Sequence, residues 1–141
     1  MVLLGVIESG NSLSIKHKMI VVSREGANIA SRGSSLQETL NTVMTLGNEI
    51  QLLEKGGAVV SRIIVTDGDP TVDAQVAYGS YGGSSRLGVA GSIADPLVSL
   101  TMTEGQAFYA VEIFYQYDAL TPIGALIPDG WTDEIYERAI F

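Results

Sequence analysis

The chain has 141 residues and a mass of 14.9 kDa, enough for one domain that buries a core without a disulfide or a metal. Its net charge of −8 argues against nucleic-acid binding, because phosphate recognition needs clustered Lys and Arg. The absence of cysteine excludes disulfides, thiolate nucleophiles and Cys-ligated metal centres. The charge is uneven: residues up to Arg62 carry a net +1 and the rest a net −9, which favours a docking region followed by a solvated one.

The first thirty residues predict one long helix, from Leu3 to about Ser31. Gly10 and Gly26 each weaken it by about 1 kcal/mol relative to alanine. Such a helix would be roughly 40 Å long, so we expect one end to project from the domain. We also expect the apolar start, Met1–Ile7, to be the end of a longer apolar segment, since it is too short to span a bilayer alone. Apolar residues recur at close to helical spacing at Leu4, Ile7, Ile15, Met19, Val22, Ile29 and Ala30.

A second helix is predicted directly after the first. Arg32-Gly33 is a typical helix end, and Ser35-Leu36-Gln37-Glu38 is a capping-box pattern that opens the next helix. Apolar residues continue on one side as far as Leu53, and Lys55-Gly56-Gly57 ends the segment. The short turn between the helices predicts an antiparallel pair.

A change to a period of two predicts strands after Gly57. Val59–Thr66 and Val72–Tyr78 flank the turn sequence Asp67-Gly68-Asp69-Pro70, which indicates a hairpin. The sequence from Gly79 to Asp95 is rich in glycine and serine and predicts a long surface loop.

The last third of the chain predicts further strands. Leu97–Met102 is a candidate short strand, and Gln106–Tyr117 gives the strongest strand pattern and is expected at the centre of the sheet. Thr132–Phe141 fits a strand or a helix, and we favour a strand. The predicted fold is α+β, with a long N-terminal helix and a second helix packed on an antiparallel sheet of about four strands. We divide it into the N-terminal helix, residues 1–33, and the remainder, 34–141.

The acidic residues offer few candidate chemical sites. Asp67, Asp69 and Asp73 resemble a calcium loop but lack its spacing, so an acidic turn is favoured over a weak calcium site. Nothing in the spacing of Glu104, Glu112 and Glu134 brings two carboxylates together, so we predict no enzyme, no cofactor and no small-molecule substrate. A soluble ligand- or calcium-binding module of the cell envelope stays open as an alternative, and a hydrolase as a third.

Glu8 is unusual because it follows directly on apolar sequence. A desolvated carboxylate costs several kcal/mol unless it is paired. Glu8 therefore either meets a cation on a neighbouring subunit or lies in contact with water at a membrane surface, and both readings stay open.

Two short motifs on the first helix resemble those of the TadE-like pseudopilins of tight-adherence (Flp-type) pilus systems. The first is Gly5-Val6-Ile7-Glu8, which matches Gly-aliphatic-aliphatic-Glu. The second, Ser23-Arg24-Glu25-Gly26-Ala27-Asn28-Ile29-Ala30, follows at the spacing of the family and has Asn28 where the family usually has arginine. The resemblance covers about Val2 to Gly33, and Arg138 is compared with the arginine that often lies near the family's last strand.

The resemblance implies a bacterial cell-envelope protein that is anchored in the inner membrane by its N-terminal helix or carried on a surface pilus. Its partners would be other pilins, pilus-assembly proteins and the membrane, and it would have a pilin-like fold and no enzymatic activity of its own. The residues that we predict to bind partners through the first helix are Leu4, Ile7, Glu8, Ile15, Arg24 and Glu25.

Overall fold

Helices and one antiparallel sheet make up the computed structural model, which describes residues 2–79, 85–94, 103–116 and 134–141. The sheet has four strands in the order β2-β1-β3-β4. This confirms the predicted mixed α+β class with an antiparallel sheet. The elements in chain order are α1 (Val2–Ser31), α2 (Leu36–Leu46), a 3-10 turn (Gly47–Ile50), α3 (Leu52–Lys55), β1 (Gly56–Thr66), β2 (Asp69–Ala77), β3 (Ala107–Gln116) and β4 (Glu134–Ile140).

Helix α1 packs across α2, β3 and β4. Its core contacts come from Ile15, Met19, Val22 and Ala27, which are spaced to lie on one side of the helix. The chain leaves the helix at Gly33, whose φ of 105° is the left-handed conformation that favours glycine at a helix end. The first half of α1 as a projecting spine stays a prediction.

The second helix is shorter than the sequence predicts. Its capping box is present, since Ser35 Oγ accepts a hydrogen bond from the Glu38 N–H at 3.1 Å and the Glu38 carboxylate accepts one from the Ser35 N–H at 3.4 Å. The single helix expected up to Lys55 is wrong, because α2 ends at Leu46. A Cβ at Gly47 would lie 2.5 Å from Cδ2 of the buried Leu52, so only glycine lets the chain turn back this closely.

The predicted hairpin is confirmed. Asp67 and Gly68 link β1 to β2 with φ values of 54° and 82°, the pair of left-handed conformations of a type I′ turn. The register of the hairpin shifts after Arg62, and Asp73 is the extra residue of a β-bulge.

Strand β3 occupies an interior position and separates two apolar clusters. Val111, Ile113 and Tyr115 face the helices and join the larger cluster. Ala110 and Phe108 belong to a smaller cluster on the opposite face. The alternation predicted for this strand is therefore confirmed over its described residues, while Tyr117 lies outside them. The favoured strand near the C-terminus is also confirmed as β4.

The second face of the sheet is covered by residues 85–94, which we call the strap. Leu87 is 1% exposed and Ala94 is fully buried, whereas Arg86, Val89 and Ile93 are exposed, so this part of the predicted surface loop lies at the surface but packs two side chains against the sheet. Backbone bonds fix the strap to β2: the Val72 N–H donates to the Ser92 carbonyl at 2.8 Å, and the Ala94 N–H donates to the Pro70 carbonyl at 2.7 Å. Residues 80–84, and the candidate strand at 97–102, lie outside the described part of the chain.

Candidate partner-binding face of the N-terminal helix

Helix α1 exposes large apolar side chains on the side opposite to its core contacts. Leu3, Val6, Leu13 and Val21 are 71%, 63%, 68% and 55% exposed. At 100° per residue they fall within an arc of about 80°, on the other side of the helix from Ile15 and Met19. Single exposed apolar residues are common, but these four lie within one arc, which they share with the exposed Gly10, His17 and Arg24. We call these four residues the outer stripe.

The outer stripe reaches a groove between α1 and the 3-10 turn. The groove has a volume of about 380 Å³, and Val21 belongs to both the groove and the stripe. Its floor is apolar and its rim carries charges of both signs. The lining residues are Ser14, His17, Lys18, Val21, Val22, Glu25, Leu46, Glu49 and Ile50.

Two ion pairs connect α1 to its neighbours. Lys18 hydrogen-bonds and pairs with Glu49, and this contact lowers the pKa of the Glu49 carboxyl from its usual range. Lys16 Nζ lies 3.7 Å from the Glu137 carboxylate on β4. Because both lysines are exposed, these pairs contribute little to the stability of the fold.

The structure places the predicted partner-binding residues in three different settings. Ile15 is partly buried and packs against the larger core cluster. Arg24 and Glu25 are exposed, and Glu25 lines the groove. The side chains of Leu4, Ile7 and Glu8 lie outside the described part of α1, so both readings of Glu8 stay open.

The second motif has a clear packing role. Ser23, Ala27 and Ala30 are buried, and a Cβ at Gly26 would lie 2.5 Å from Val43 Cγ2 on α2. The small residues of the motif let α1 approach α2 and β3 closely. The motif's charged residues point instead to solvent, where they are available to a partner.

The three aspartates of the hairpin have different surroundings. Asp73 forms an ion pair with Arg62, whose Nε donates to Asp73 Oδ2 at 2.8 Å. Asp67 and Asp69 are exposed at the turn. Across the described ranges, no three His, Cys, Asp or Glu side chains are grouped so that they could hold a metal ion.

Glu104 and Glu112 bind different parts of the molecule. The Glu104 carboxylate accepts hydrogen bonds from the N–H groups of Asp67 and Gly68, both at 3.0 Å, and so caps the hairpin turn. Glu112 lies on β3 and has no exposed surface. The side chain of Glu134 is not among those described.

Among the described residues, the buried Glu112 carboxylate has three hydrogen-bond donors. It accepts from the Arg86 N–H at 2.9 Å, from the Tyr136 hydroxyl at 2.6 Å and from the Ser85 hydroxyl. The Arg86 guanidinium lies over the face of the Tyr136 ring, 3.9 Å from its centre, and this contact is a favourable cation–π interaction. Burial, and then the bond to Glu112, raises the pKa of Tyr136 above its usual value.

Sequence reasoning did not identify the Glu112 cluster as a structural site. The available signal was an acid on the inward-facing alternation of the strongest strand, next to Ala110 and Phe114. Such an acid must have partners when it is buried. Its partners come from distant positions in the chain, so the sequence alone did not reveal them.

The chain matches no family model, no curated protein and no solved structure. Within the described residues, no helix combines the length and the apolar character that are needed to cross a bilayer. The outer stripe of α1 and the motifs that this helix carries are therefore the features that point to a function.

Proposed function

We propose that this protein is a TadE-like pseudopilin or minor pilin of a tight-adherence (Flp-type) pilus assembly system. It acts through protein–protein contacts, with its N-terminal helix anchored in the membrane. One observation carries the proposal: α1 exposes the four large apolar residues of the outer stripe on the side opposite to its core contacts, and the described part of its own domain leaves them uncovered. A helix that needed to serve only its own core would be polar on its outer side.

The positions of the two motifs support this assignment. The buried small residues of the second motif, Gly26 and Ala27, lie where α1 crosses α2 and β3. The first motif, residues 5–8, lies on the same helix near Leu3 and Val6 of the outer stripe. In the proposed pilin-like arrangement, the second half of α1 is the support for the sheet. The first half projects as a long spine toward the membrane and other subunits.

The two described candidate carboxylates, Glu104 and Glu112, both accept hydrogen bonds from other parts of this chain, and this supports a non-enzymatic role. Glu104 is bound by the hairpin turn, and Glu112 is bound inside the sheet. Both serve the fold of this chain. We therefore propose that the protein acts as an assembly component without a cofactor or a small-molecule substrate.

The proposal is tested by deleting the gene in the source bacterium and complementing with variants of the full protein. Val6→Asp places a charge on the outer stripe, and Val89→Asp is the matched control because Val89 is an exposed apolar residue of the strap. Deletion should abolish pili, counted by electron microscopy, and should abolish adherence. Wild type and Val89→Asp should restore both, and Val6→Asp should not.

Two results would overturn the proposal. One is normal piliation in the deletion strain. The other is full complementation by Val6→Asp at a wild-type protein level. A calcium titration of the purified chain by calorimetry tests the alternative envelope module separately, since only that alternative requires heat of binding that is lost in Asp69→Asn.

A further inference from the structure

The strap is connected to the sheet in a different way from the helices. Two of its side chains, Leu87 and Ala94, belong to the smaller apolar cluster. The remaining described contacts are polar. The Gln75 amide donates to the Gly88 carbonyl at 2.9 Å, and backbone bonds connect Gly91, Ser92 and Ala94 to β2.

Glu112 is the point where the strap is tied to the centre of the sheet. Among the described residues, it is the one charged side chain with no exposed surface. Two of its three donors, the Ser85 hydroxyl and the Arg86 N–H, belong to the strap, and the third is Tyr136 on β4. Hydrogen bonds to a buried charge are among the stronger ones, and leaving the charge without donors is costly. An open strap would therefore leave the carboxylate with Tyr136 as its remaining described donor, and water would have to replace the other two.

We propose that the strap opens and closes over the second face of the sheet as a unit of its own, and that Glu112 controls its closure. The two apolar clusters lie on opposite faces of the sheet, so the helix face stays packed when the strap opens. Opening uncovers Ile63, Val72 and Ala110, which the strap covers in the closed form. This inference does not depend on the proposed function.

Hydrogen exchange of the full chain, read amide by amide, tests the proposal. The reporters are the Gly91 and Ala94 N–H groups, which donate to Val72 and Pro70 and do not touch Glu112. In wild type they should exchange faster than the Val60 and Ile113 amides in the centre of the sheet, because a local opening needs less free energy than global unfolding. Equal rates at all four positions would overturn the proposal.

Substitution of the carboxylate tests its control of the strap. Glu112→Gln keeps the shape but loses the charge, and it should speed exchange at Gly91 and Ala94 by about 10- to 100-fold. Glu104→Gln is the matched control, since it also removes a carboxylate bound by backbone N–H groups, but at the hairpin turn. It should change the strap rates by less than about twofold.

Two milder variants keep the test decisive if Glu112→Gln does not fold. Ser85→Ala removes a donor that the strap supplies, whereas Tyr136→Phe removes the donor on β4, which an open strap leaves in place. Ser85→Ala should speed exchange at Gly91 and Ala94 by about 3- to 10-fold while the Val60 and Ile113 rates change less, and Tyr136→Phe should change the strap rates by less than about twofold. Unchanged strap rates in either Glu112→Gln or Ser85→Ala would show that Glu112 does not control closure.

Discussion

The two faces of the sheet are covered in contrasting ways. On the helix face, Met19, Val43 and Val111 interlock in one apolar cluster, and Gly26 lets the helices approach closely. On the other face, the strap adds two apolar side chains and is tied to Glu112 by the hydrogen bonds from Ser85 and Arg86. An apolar cluster resists opening because many weak contacts must be lost together. A polar cluster loses most of its stabilising interactions when one charged group loses its hydrogen-bond donors.

This contrast matches the proposed division of work within the molecule. The helix face must hold α1 firmly, since α1 also carries the outer stripe on its other side. In the proposed function, a force that a partner applies to the stripe passes to the sheet through the apolar cluster. Within the described residues the strap face carries no helix, and we propose that the strap opens without releasing α1.

The largest expected effect comes from truncating one core residue on each face. Met19→Ala should lower the free energy of unfolding by about 2–5 kcal/mol, because Met19 is fully buried against the sheet. Leu87→Ala should lower it by less than half as much, since the loss cannot exceed the free energy that closes the strap. Denaturant unfolding measured by circular dichroism gives both values. Equal losses would show that the two faces unfold as one.

A smaller effect distinguishes two glycines of the same helix. Gly26→Ala should destabilise the protein by about 1–3 kcal/mol, because the new methyl group would lie 2.5 Å from Val43 Cγ2. Gly10→Ala is the matched control: no atom lies within 4 Å of its new methyl group, so it should stabilise α1 by up to ~1 kcal/mol. Thermal unfolding of both variants measures the difference. A stabilising Gly26→Ala would contradict the close packing of α1 on α2.

Those parts of the fold that depend on neighbouring residues were predictable from the sequence. The capping box at Ser35 and the Asp67-Gly68 turn depend on side chains and dihedral angles within a few residues. The start of strand β3 was predicted to within one residue, since Gln106 was expected and Ala107 is observed, and the strand continues to Gln116, the last residue described there. The side chains of this strand alternate over enough positions to identify which residues lie on each face of the sheet.

The parts that depend on distant contacts were not predictable. The end of α2 depends on how Gly47 meets Leu52, and the strap depends on bonds between Val72 and Ser92. On α1, the apolar periodicity showed the buried side, but the sequence could not show which apolar residues a sheet would leave uncovered. The Glu112 cluster was not predictable for the same reason, since it combines residues from three separate segments of the chain.

A buried hydroxyl on the helix face should be dispensable. Thr39 has no exposed surface, and its Oγ1 has no hydrogen-bond partner among the described residues. Thr39→Val should therefore stabilise the protein by about 1 kcal/mol, because an unpaired buried hydroxyl costs free energy. Thr42→Val is the control, since Thr42 Oγ1 donates to the Glu38 carbonyl at 3.0 Å, and it should not stabilise. A destabilising Thr39→Val, measured by denaturant unfolding, would indicate that the hydroxyl is bonded in solution.

The smallest effect is confined to alkaline solution and reports on the strap face. Burial, together with the hydrogen bond to Glu112, raises the pKa of Tyr136 above its usual value near 10. Since the folded pKa is the higher one, the contribution of Tyr136 to stability is fully present below the unfolded pKa and is lost as pH rises toward the folded pKa. The free energy of unfolding of wild type should fall between about pH 10 and pH 12, and that of Tyr136→Phe should fall less steeply. Parallel urea titrations at half-unit pH steps measure the two slopes. Identical slopes would mean that neither burial nor the bond to Glu112 holds the phenol in its neutral form.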